Sequence, residues 1–118
     1  MVEHMEEWRE LKTTLKALGD MARLTIVYHL AHAQEVTVTD LAELLGISQP
    51  LVSWHLRKLR RAGIISTRRA GRQSYCSLNI GSIEHGMQLL DRLVDPSFAS
   101  KTFPTGAALL EAEVGLEE

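Results

Sequence analysis

Between Thr37 and Gly63 the chain is punctuated so closely that one supersecondary arrangement fits it. Gly46-Ile47-Ser48 parts two helical segments of about eight and fourteen residues. Thr37-Val-Thr-Asp40 opens the first segment, Val38 to Leu45, as a capping box with Asp in place of the usual Glu or Gln. Gly46 stops that helix, Ser48 N-caps the next, and Pro50 falls in a first turn where its missing N–H costs nothing. The second helix runs to about Ala62, and Gly63 ends it. Two helices joined by so short a turn meet at a steep angle, which is a helix-turn-helix. In that arrangement the second helix enters a DNA major groove while the first braces it.

The flanks supply the rest of a small helical domain. Trp8, Leu11, Leu15 and Leu18 recur at helical spacing over about Glu6 to Leu18. Gly19 closes that helix and Asp20 caps another over Met21 to His32, where Leu24, Val27, Tyr28 and Ala31 share a face beside Ile26 and Leu30. After Gly63 the period changes. Ile64 to Arg69 and Gln73 to Leu78 are β-prone runs joined by Ala70-Gly71-Arg72, a hairpin. A fifth helix, about Ser82 to Val94, is expected to bury Ile83, Met87, Leu90 and Val94, and Pro96 stops it. The predicted class is therefore mainly α with a small β-hairpin wing, a winged helix-turn-helix. Residues 1–96 form the domain and 97–118 a C-terminal extension, docked or partly flexible. Phe98, Phe103 and Pro104 look like a docked loop there, and 107–116 a last amphipathic turn or two.

Charge points to the partner. Residues Leu44 to Ile83 contain no Asp or Glu but hold Arg57, Lys58, Arg60, Arg61, Arg68, Arg69 and Arg72. That block carries +7, whereas the rest has six basic and fifteen acidic residues, a balance of −9. A cationic block from which acids are excluded attracts a polyanion, and phosphates give affinity through counterion release. In the second helix of the motif, Val52, Leu56 and Leu59 face inward. Ser48, Gln49, Ser53 and His55 are placed to reach base edges, Gln suiting adenine. Arg57, Lys58 and Arg61 are assigned to phosphates, which set position without reading sequence. Arg68, Arg69 and Arg72 would carry the hairpin to the minor groove or backbone. Trp54 either faces out, onto sugar or a thymine methyl, or tucks under the neighbouring helix.

Other classes fit less well. The single cysteine, Cys76, excludes an internal disulfide framework and a multi-cysteine zinc site. No apolar run approaches the ~20 residues that span a bilayer, so a soluble, cytoplasmic protein is expected. No nucleophile–base pair, carboxylate pair or phosphate-cradling glycine loop suggests an enzyme. A winged-helix adaptor for a protein partner remains the alternative, distinguished by the absence of salt-sensitive DNA binding.

The run Leu41-Ala-Glu-Leu-Leu-Gly-Ile-Ser-Gln-Pro-Leu-Val-Ser-Trp-His-Leu-Arg-Lys-Leu-Arg-Arg-Ala-Gly63 resembles the helix-turn-helix of the ArsR/SmtB repressors. Leu18-Gly-Asp-Met-Ala-Arg-Leu-Thr-Ile-Val27 is similar to a second family motif, and Gly71-Arg72 with the strand ending at Leu78 to its wing. The resemblance covers about residues 8 to 94. It implies a homodimer that blocks transcription at a palindromic operator until an inducer releases it. Trp8, Leu11 and Leu15 with Met87, Leu90 and Val94 supply the apolar faces such a dimer would join.

The family's sensing boxes are altered. A Glu-Leu-Cys-Val-Cys-Asp-Leu box binds soft metals in many members, but here it reads Glu35-Val-Thr-Val-Thr-Asp-Leu41. Threonines are poor ligands for such ions. The last helix offers Glu84, His85, Asp91 and Asp95, with one histidine and not the family's spacing. His29 and His32 sit near a helix C-terminus, where a histidine is favourable on electrostatic grounds. His4 lies near the start of the chain, and Cys76 on a wing strand suggests packing. No cofactor or metal is assigned, and the inducer is not identified.

Overall fold

Capping chemistry sets the helix boundaries. The structure, a computed structural model, describes residues 2–98 together with Gly106, Leu109 and Leu110. Helix α1 is Val2–Leu18, α2 Met21–Ala31, α3 Val38–Leu45, α4 Gln49–Arg61 and α5 Ile80–Val94. The Asp20 carboxylate accepts the Arg23 N–H at the start of α2. Thr37 and Ser48 do the same for Asp40 and Leu51 at α3 and α4. Gly46 ends α3 in the left-handed region, φ 69°, where a Cβ costs roughly 1–2 kcal/mol.

Strands β1 (Val36–Thr37), β2 (Ile65–Ala70) and β3 (Gln73–Leu78) form one antiparallel sheet in the order β1-β3-β2. The hairpin is tighter than expected. Ala70 pairs with Gln73, so Gly71-Arg72 alone turns the chain, with Gly71 at φ 62°. Strand β1 is an addition to the sequence reading. Two residues show no periodicity, yet they place Val36 opposite Cys76 and Thr37 opposite Tyr75.

The main core joins α2, α3, α4 and the sheet through Ile26, Leu30, Leu41, Val52, Leu56, Leu59, Ile64, Ile65 and Cys76. Helix α2 is turned from its expected face: Arg23, Ile26 and Leu30 point in, while Leu24 and Tyr28 are exposed. A second cluster packs α1 on α5 through Trp8, Leu11 and Leu89, with Leu90 and Phe98 against it. Phe98 meets Trp8 edge to face at 6.1 Å.

This second cluster corrects two readings. Trp8 and Leu11, expected at a dimer face, are 6% and 4% exposed and covered within the chain. Helix α5 buries Gly86 and Leu89, whereas Met87 and Val94 are 38% and 70% exposed. Gly86 fits this contact: a Cβ there would lie 3.2 Å from the Thr14 methyl, so its missing side chain suits the close approach of α1 on that face. Within the extension, Ser97 and Phe98 are described, as are Leu109 and Leu110, which are helical and exposed. Phe103, Pro104 and the rest of 107–116 lie outside the described residues.

Candidate nucleic-acid interface

Helix α4 has an apolar side and a polar side, and α3 fixes which is which. Val52, Leu56 and Leu59 are buried. Ser48, Gln49, Ser53, Arg57, Lys58 and Arg61 are exposed, and Trp54 is 44% exposed. The Gln49 amide donates to the Thr39 hydroxyl at 3.5 Å across the turn. The polar side chains expected at bases and the cations expected at phosphates thus share one solvent face of α4.

His55 departs from this pattern. It is 6% exposed and faces inward, so it cannot reach a base edge from this position. Arg23 Nη1 lies 3.1 Å from His55 Nδ1, and Arg23 Nε donates to the Ala17 carbonyl at 2.6 Å. A guanidinium only donates, so Nδ1 is the acceptor and carries no proton. The Asp20 carboxylate is 3.8 Å from the same Nδ1. Arg23 therefore ties the end of α1 to α4 through His55. Asp20 and Arg23 were not anticipated as site residues. The signal for them is the three-residue spacing that puts an N-cap carboxylate beside an arginine one turn on.

Trp54 resolves to the exposed side. Two cations contact its ring, Lys58 Nζ at 4.7 Å and the Arg23 guanidinium at 5.8 Å from its centroid. The plate so held stands beside Ser53 on the polar face of α4.

The wing separates its three arginines. Arg69 and Arg72 are exposed near the hairpin end. Arg68 is turned back onto Glu35, donating through Nε at 2.7 Å and Nη2 at 2.8 Å, and lies 4.6 Å over the Tyr75 ring. Arg68, expected at DNA with Arg69 and Arg72, is thus already paired with a carboxylate in the free chain. The reason is β1: Thr37, Tyr75 and Arg68 form one row across the sheet, which brings the preceding Glu35 within reach. Hydrogen bonds from Arg68 hold the Glu35 carboxyl below its usual range, against the opposing effect of burial.

Several of the residues weighed as sensors are engaged within the chain. Thr37 accepts the Asp40 N–H and Thr39 accepts from Gln49. His32 Nδ1 is 2.7 Å from the Tyr28 carbonyl, and His85 lies 3.3 Å from Glu10. The His4 side chain is outside the described residues. No cluster of three or more metal-ligating side chains occurs among the described residues. Cys76 is fully buried, and burial pushes its thiol up to about 11.

A helix-turn-helix carrying an exposed cationic second helix, followed by a β-hairpin wing, is the architecture of a winged-helix DNA-binding regulator. The sequence profile described as bacterial regulatory protein, arsR family, matches residues 20–67. An arsenic resistance transcriptional regulator of Pseudomonas putida is 33% identical over 112 residues, which is 95% of this chain and 85% of that protein. The arsenical resistance operon repressor of Bacillus subtilis is 37% identical over 71 residues, 60% of this chain and 68% of that one. Among solved structures, reduced HlyU from Vibrio cholerae superposes with a TM-score of 0.64 at 30% identity, over 80% of this chain and 98% of that one. The chain belongs to the ArsR family of DNA-binding transcriptional regulators. These relatives are regulators, not enzymes. No helix among the described residues is long and apolar enough to cross a membrane.

Proposed function

We propose that this chain acts as a homodimeric repressor that occludes a palindromic operator and does not sense soft metals through the family's cysteine box. The observation that carries the reading is the polar face of α4, where Gln49 and Ser53 stand exposed beside Arg57, Lys58 and Arg61. Gln49 and Ser53 read bases, and the cations, with Arg69 and Arg72 on the wing, neutralise phosphates. Leu15, Met87, Leu93 and Val94 leave an exposed apolar surface on α1 and α5, which supports joining a second copy there. A dyad would present two α4 helices to successive major grooves roughly 34 Å apart.

Thr37 and Thr39 argue against soft-metal sensing. Their hydroxyls serve the α3 cap and the turn to α4, and neither supplies a thiolate. The test combines sedimentation equilibrium with footprinting upstream of the chain's own gene. A dimer protecting two half-sites about one helical turn apart is expected, with arsenite and cadmium leaving the footprint unchanged. A monomer, or release by either ion, overturns the proposal.

A further inference from the structure

Beside the polar face of α4 runs an open groove of about 400 Å³ between α1 and the second half of that helix. Lys12 and Lys16 on α1 form one wall, Lys58 and Arg61 on α4 the other, and Arg23 lies between them. No carboxylate lines it among the described residues. Lys12 and Lys16 come from the part of the chain that is net negative, so the cationic surface is not confined to the acid-free block. Arg23 is 9% exposed. Its guanidinium has more N–H donors than its bonds to Ala17 and His55 use. The nearby Asp20 carboxylate is engaged in capping α2. A buried arginine flanked by lysines, in a groove whose described lining holds no carboxylate, is the chemistry of a phosphate site.

We infer that this groove takes a phosphodiester of the operator backbone, extending the DNA contact from α4 onto α1 through Lys12 and Lys16. The inference rests on the DNA-binding reading above and names a surface which that reading does not include. Continuity favours DNA as the source of the phosphate. Helix α4 has 13 residues and is ~20 Å long. With Gln49 and Ser53 at bases near its start, the strand bordering the major groove passes its far end. There Lys58 and Arg61 meet the α1 wall.

The test replaces two lysines of α1 together, the half-buried Lys12→Gln and the exposed Lys16→Gln, which barely alters helix propensity. Binding to the operator and to a scrambled duplex is measured at several salt concentrations. Each neutralised phosphate contributes about 0.9 to the slope of log affinity against log salt, so losing the one phosphate in this groove should shrink the slope by about 0.9 per protomer. Near 0.15 M salt that is a loss of roughly fivefold per protomer. Operator and scrambled DNA should lose equally, because phosphate contacts carry no sequence information. An unchanged slope, with operator preference intact in the wild type, overturns the groove alone. A wild type without operator preference overturns the parent reading instead. In a parallel arm, pyrophosphate is titrated without DNA while arginine side-chain NMR signals are followed. Saturation by pyrophosphate together with an unchanged slope assigns the groove to a free phosphate ligand and overturns the DNA assignment.

Discussion

Replacing His55 separates its two readings, base contact or bracket to Arg23. In His55→Leu the buried guanidinium loses the acceptor it holds at 3.1 Å. A hydrogen bond to a charged group contributes about 1.5–3 kcal/mol. Leucine's burial returns part of that, leaving a net loss of about 1–2 kcal/mol. Asp20 Oδ2 is 3.8 Å from Nδ1 and keeps lone pairs beyond its cap bond, so a shift of this carboxylate onto Arg23 sets the lower end of that range. In His55→Asn the amide oxygen offers an acceptor close to where Nδ1 stands, so the loss should be less than half as large. Urea unfolding at one fixed protein concentration reads both. With m near 2 kcal/mol/M, the Leu variant's midpoint should fall by about 0.5–1 M without a change in m. The Asn variant should keep the wild-type ratio of operator to scrambled affinity, because the ring touches no base. A Leu variant as stable as the wild type refutes the bracket. So does an Asn variant that folds normally but loses a tenfold or greater share of its sequence preference.

Further outcomes test other parts of the account. Gly46→Ala places a Cβ at φ 69°, and urea melts should show a loss of about 1–2 kcal/mol. Gln49→Ala and Ser53→Ala should each cost about 1–3 kcal/mol on the operator and relax its sequence preference, and uniform weakening on every duplex would sink that assignment. Arg72→Gln should flatten the salt slope by about 0.9 per protomer, and Arg68→Gln by less, because Glu35 already neutralises it. Cys76, raised from about 9 to about 11 by burial, should resist thiol reagents until the protein unfolds. Above pH 9 the unfolded chain loses this proton while the folded one keeps it, so the unfolded state binds fewer protons. Stability held below pH 9 should then decline toward pH 11, and Cys76→Ala should remove that share of the decline.

Much of the fold is written in local chemistry. Gly46, Ser48, Pro50 and Gly63 delimit α4 because caps and left-handed glycines act within a turn, and the structure places those boundaries within a residue or two of the sequence reading. The wing is equally local, since its alternation and turn need no distant partner. What sequence inspection missed is tertiary. The face that α5 buries includes Gly86, which meets Thr14 from another helix. His55 follows helical spacing that fits either side of α4, and only Arg23, 32 positions earlier, decides the matter. Arg68 reads as a wing cation until the two-residue strand β1 brings up Glu35. In each case one long-range contact chooses between orientations that the local pattern permits.

The most direct test of the central claim is fluorescence anisotropy of a labelled duplex from upstream of the chain's own gene, against a scrambled duplex, at several salt concentrations. The account predicts an operator preferred by roughly 10³ or more, with affinity falling steeply as salt rises. Equal binding to both duplexes, or no binding at low salt, would contradict the assignment of α4 and the wing to a specific operator.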